Sequence, residues 1–145
     1  MSHLASHEDL IFSKRVESCK FPLSDFDHRA HLRLAYVYLA ENDVETAVAM
    51  MRDALMRLLT TNGIETASRY HETLTKAWIL AVQHFMSTTI ESDSADGFID
   101  KNPDMLDSNI MLSHYSARIL FSDEARKSFV QPDLVPIPRH ESRST

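Results

Sequence analysis

From Val44 to Leu58 an apolar stripe runs through Val44, Ala47, Val48, Met51, Ala54, Leu55 and Leu58. Residues three, four and seven apart share one face of an α-helix and alternate between the faces of a β-strand. A stripe this regular commits the segment to an amphipathic helix, and the rest of the chain must cover it. Glycine points the same way, with 2 in 145 residues. Tight hairpins, phosphate-cradling loops and dinucleotide turns need backbone that glycine supplies most readily. The expected fold is all-α, a small antiparallel bundle of four to five helices with an extended C-terminal tail.

Residues 4–19 carry Leu4, Leu10, Ile11 and Val16, enough for a short docking helix before Phe21-Pro22. Ser24 with Asp27 resembles a capping box and predicts a helix from Ser24 to Glu41, with Leu32, Ala35 and Leu39 inward. Asn42 with Glu45 predicts the next start, and Asn62-Gly63 its end, with Gly63 in the left-handed position. Thr66 to Thr88 is predicted as the third and longest helix, with Ala67, Tyr70, Leu74, Ala77, Trp78 and Phe85 on its stripe. Met105 to Leu120 gives a fourth segment, and Ser122 caps a final short turn. The single helical domain is placed at 1–130 and the Pro-containing tail at 131–145. Leu134, Val135 and Ile137 are positioned to lay the tail on the bundle, and its last seven residues are expected to be disordered.

Net charge is −6 with the histidines neutral, which argues against a nucleic-acid partner needing a basic face. No apolar run approaches the roughly 20 residues of a membrane span. The N-terminus has no basic region followed by an apolar one, so no secretory signal is expected. A lone Cys19 cannot form an internal disulfide, and a cytoplasmic location is the simple expectation. A homodimer is a further expectation for a bundle of this size.

Chemistry gathers at histidines. His28 and His31 are three residues apart, about 60° on a helical wheel, and both border the core stripe. His71 shares a helix line with Leu74 and Trp78, and Glu72 stands beside it. In an up-down-up arrangement the helices bearing them are parallel, so their N-termini share one end of the bundle. Three imidazoles suit a divalent transition metal, Zn, Fe, Ni or Mn, with His28, His31 and His71 as ligands and Glu72 as catalytic acid/base. A metal-free polar pocket for a small ligand uses the same residues. The structural reading has His28 and His31 bonding a neighbouring loop and His71 satisfied within the core. A protein-interaction module, contacting a partner through the tail and Met50, Met51 and Met56, is the alternative. His84 and His114 are more distant ligand candidates, whereas His3, His7 and His140 fall near the termini and are discounted. Asp100, Asp104 and Asp107 lack the spacing of a calcium loop.

Phe26-Asp27-His28 through His31, Tyr70-His71-Glu72-Thr73, and Phe129 to Asp133 together resemble a group of small uncharacterised bacterial helical proteins. The resemblance spans roughly residues 24–138 and implies a helical fold without an activity. In size and helical class the chain also resembles DinB-like metal-binding bundles. Their His-x-x-x-His pattern is absent, because Thr75 stands four residues after His71.

Overall fold

In the computed structural model, which describes residues 3–140, most of the α-helices begin where polar side chains hold free backbone N–H groups. The protein is an all-α helical bundle. The first helix, α1 (His7–Glu17), opens on a reciprocal cap between Ser6 and Asp9. Asp27 accepts from the Ala30 N–H at 2.9 Å and starts α2 (His28–Glu41). Asp43 does the same for Thr46 at 2.8 Å and starts α3 (Val44–Thr61). The predicted caps, Ser24 and Asn42, are used differently. Ser24 lies in a 3-10 turn, Leu23–Asp25, that follows Pro22. Asn42 donates its amide to the Tyr38 carbonyl at 3.0 Å and closes α2 instead. Gly63 takes φ 72° after α3, and the Ile64 N–H returns to the Leu59 carbonyl at 2.9 Å, as a left-handed helix end requires.

The predicted helix from Thr66 to Thr88 is two helices. A single turn, α4 (Thr66–Arg69), precedes α5 (Glu72–Thr88). Tyr70 and His71 between them are extended, with ψ 141° and 105°. The apolar period runs through this break without a proline or glycine, so periodicity alone does not show it. The Tyr70 ring is buried, and the His71 ring caps the new helix by accepting from the Leu74 N–H at 3.1 Å. Met105 to Leu120 also departs from one helix. After α6 (Ala95–Lys101) come 3-10 turns at Pro103–Leu106 and Ser108–Ser113, then α7 (Ala117–Leu120) and α8 (Asp123–Lys127). Asn102-Pro103 and the side-chain caps of Asp107 and Ser116 divide the segment into short turns. Ser122 caps α8 as expected.

α2, α3 and α5 pack on one another, and α1 and α6 cover α2. Leu34 through Tyr38 are all buried, so α2 is apolar around most of its circumference and forms the centre of the bundle. Tyr36 stacks on Phe98 at 4.9 Å and sends its hydroxyl to the Leu4 carbonyl at 2.8 Å. Each fully buried Leu or Phe in this core contributes on the order of 2 kcal/mol. The tail lies against the bundle. Tyr115 donates to the Val130 carbonyl at 2.6 Å, and the Leu134 N–H to the His114 carbonyl at 2.9 Å. Of the three expected anchors only Ile137 is buried, at 5% exposure, while Leu134 and Val135 are 50% and 60% exposed. Arg139 and His140, expected to be disordered, are described and in contact. Arg139 reaches over the Phe129 ring, and His140 meets His84 at 2.9 Å. Residues 141–145 lie outside the described residues.

Candidate functional site

A cavity of about 300 Å³ opens at the end of the bundle where α2 and α5 both begin. The first turns of α2 contribute Asp27, His28 and His31, and the α4–α5 break contributes Arg69, Tyr70 and His71. α3 enters antiparallel and supplies Leu55, Leu58 and Leu59, while Leu23, Phe26 and Leu74 complete the apolar wall. The three histidines singled out in the sequence therefore line one space. Glu72 does not share it. Its carboxylate takes both Arg52 Nε and an Arg52 terminal nitrogen, at 2.9 and 2.6 Å, and accepts from the Tyr70 hydroxyl at 2.7 Å. It lines a separate depression of about 500 Å³ with Arg126 and Phe129. Arg52 beside it holds the carboxyl below the usual carboxylate range, against the opposing effect of burial.

The imidazole nitrogens differ in what they have left to offer. His28 donates from Nε2 to the Met105 carbonyl at 2.8 Å, and its ring meets the edge of Trp78 at 4.7 Å. His71 donates from Nε2 to the Leu120 carbonyl at 2.7 Å and accepts at Nδ1 from Leu74. Both of its nitrogens are used, which defines a neutral imidazole protonated on Nε2. It is the cap of α5, not a residue of its second turn as the longer predicted helix implied. Burial also pushes the His71 pKa below the ordinary histidine value.

His31 stands apart. Its Nε2 is shut away from solvent and touches no hydrogen-bond partner. The ring lies 6.2 Å from Phe26. Burial, reinforced by the nearby His28, lowers its pKa to about 4, so the ring is neutral at pH 7.

These bonds bear on the metal reading. Among the described residues, no group of three His, Cys, Asp or Glu side chains is arranged to hold a metal ion. At this site His28 and His71 give their Nε2 atoms to main-chain carbonyls. A metal at His71 would displace the cap of α5 or the bond to Leu120.

Other sequence candidates are placed elsewhere. His84 pairs with His140, and His114 donates to the Val135 carbonyl at 2.6 Å, so both hold the tail. His3, discounted as terminal, donates to the Met86 carbonyl at 2.8 Å and packs edge-on against Tyr36. Cys19 ends α1 with φ 60° and receives the Thr61 hydroxyl at 3.3 Å. Asp100 lies 3.7 Å from Arg29. Phe26, Arg69 and Thr75 also line the cavity, and no ligand or catalytic spacing marks them as site residues. Their one signal is closeness in the chain to the histidines.

No helix among the described residues is long and apolar enough to cross a membrane. Comparison with protein families, with curated proteins and with solved structures yielded no match for this chain.

Proposed function

We propose that this protein binds a small, mostly apolar molecule carrying one hydrogen-bonding group, and that the group meets His31. The observation that carries the reading is the His31 ring, with no partner at Nε2, in the wall of a cavity whose apolar lining is Leu23, Phe26, Leu55, Leu58, Leu59 and Leu74. A buried polar atom without a partner costs about 1–3 kcal/mol, and a ligand that supplies the partner recovers this on binding. Ligand pockets are typically apolar with a few placed polar groups, and this one fits that description. Its volume of about 300 Å³ is roughly twice that of an engineered cavity known to hold benzene, which suits one ring with a short side chain. The reading is one of binding. The acid/base companion expected from the sequence, Glu72, is tied to Arg52 in the neighbouring depression. A metal held by His28, His31 and His71 would require His71 to surrender one of its two bonds, whereas a ligand at His31 requires no exchange.

Titration with phenol and toluene, followed by two-dimensional amide NMR, tests the proposal. Phenol is expected to shift resonances of residues 26–31, 55–59 and 69–75 and to bind several-fold more tightly than toluene. Leu55→Trp with Leu74→Trp, which together narrow the cavity, is expected to weaken both while keeping the fold. Shifts scattered over the surface, or unaltered binding in the narrowed variant, would refute it.

A further inference from the structure

The polar atoms facing the cavity sort into those already engaged and those still free. His71 Nδ1 is engaged by Leu74, and the Thr75 hydroxyl donates to the His71 carbonyl at 2.9 Å. Asp27 has one oxygen on the Ala30 N–H. The Tyr70 hydroxyl is turned to Glu72, outside the cavity. The His31 ring lines the space with no hydrogen-bond partner at Nε2, and Arg69 at the rim forms no ion pair or side-chain hydrogen bond among the described residues.

The two helix ends also differ. The partial positive charge at the start of α2 is met by the carboxylate of Asp27. α5 is capped by a neutral imidazole, and the one acid in its first turn, Glu72, has its charge taken up by Arg52. The start of α5 thus keeps its positive end facing the ligand space. An unpaired guanidinium, an uncompensated helix start and an imidazole nitrogen without a partner favour the same sign of charge.

We infer that the ligand's polar group is a carboxylate, bonded by His31 and drawn by Arg69, with its hydrocarbon body against Leu55, Leu58 and Leu74. This rests on the ligand-binding reading above and names the class of molecule. A carboxylate accepts from a neutral imidazole N–H and is attracted by a guanidinium, and such charge-assisted bonds are about twice as strong as neutral ones. An amine would meet Arg69 with like charge. An alcohol would use His31 alone. Asp27 is an acceptor in the wall, so the carboxylate is expected between His31 and Arg69 and away from Asp27.

Three probes with one body separate the possibilities: 3-phenylpropanoate, 3-phenylpropan-1-ol and 3-phenylpropylamine. Their affinities for the full chain are read at pH 7 and low salt by calorimetry, with amide NMR to locate the site. The carboxylate is expected to bind about tenfold more tightly than the alcohol, and the amine most weakly. Arg69→Gln is expected to remove most of that advantage, weakening the acid far more than the alcohol. His31→Leu weakens both the acid and the alcohol. If the alcohol or the amine binds in the cavity as tightly as the acid, the carboxylate assignment is overturned while the binding reading stands. It is overturned in the same way if the acid keeps its full advantage in Arg69→Gln. If none of the three shifts the cavity resonances, both readings fall.

Discussion

Asp9 is buried in the bundle and His31 is half-buried in a cavity wall with its Nε2 covered, and the two are treated in opposite ways. Asp9 is 1% exposed and has every oxygen occupied. Its carboxylate receives Arg33 Nε at 2.9 Å, the Ala95 N–H at 2.8 Å and the Ser6 N–H at 3.0 Å. Those bonds outweigh burial and hold its pKa below the usual value. His31 receives nothing at Nε2 and is kept neutral. A group that is saturated with bonds joins elements, here α1, α2 and the start of α6. A group left open at the edge of a cavity is available to something else. The contrast separates a structural polar site from a candidate binding site without appeal to residue type.

The largest effect that tests this contrast is at Asp9. Asp9→Ala leaves the Arg33 guanidinium and the Ala95 N–H without partners and removes the reciprocal cap of α1. The expected loss is about 3–5 kcal/mol in urea denaturation. A loss below about 1 kcal/mol would mean that Asp9 is no keystone.

Next comes pH. The folded pKa of His31, about 4, lies below the ordinary 6.5, so the unfolded chain binds the proton more readily. Its contribution is intact above pH 6.5, declines as pH falls from there, and is fully lost below about 4, a total of roughly 3 kcal/mol. His71 and His84 have lowered values and add in the same direction. The share belonging to His31 is the part of the slope that His31→Leu removes, measured as urea midpoint against pH. Asp9 acts in a separate window. Its folded pKa is lowered from 3.8, so its contribution is present above that value and disappears as pH falls through the folded one. An unchanged slope between pH 6.5 and 4 in His31→Leu would erase the distinction.

The smallest effect is at the cap of α5. His71→Ala removes the bonds to Leu74 and Leu120 and is expected to cost about 1 kcal/mol. His71→Asn restores the cap and most of the stability, as thermal denaturation would show. A metal-ligand role would instead make both variants equally deficient in metal.

Much of the helical content was legible in the chain. Val44 to Leu58, Asn62-Gly63 and Ser122 announce their structures because period, left-handed backbone and capping are local properties. The gathering of His28, His31 and His71 followed from two helices running the same way with one between. The break at Tyr70-His71 was not legible. Its apolar period is uninterrupted, and the cap is an imidazole rather than a usual Ser, Thr, Asp or Asn. The segment after Pro103 misled for a related reason. Its apolar residues have helical density, yet buried Met105, Met111 and Tyr115 are reached from short turns.

By itself the sequence determined an all-α chain with histidines within the first two turns of two expected helices, because periodicity and capping act within a few residues. Tertiary structure decided what those histidines do. The Met105 and Leu120 carbonyls, 77 and 49 residues away in the chain, engage His28 and His71 and leave His31 open. Which nitrogen is free depends on which distant carbonyl arrives beside it, and that is settled only when the bundle closes.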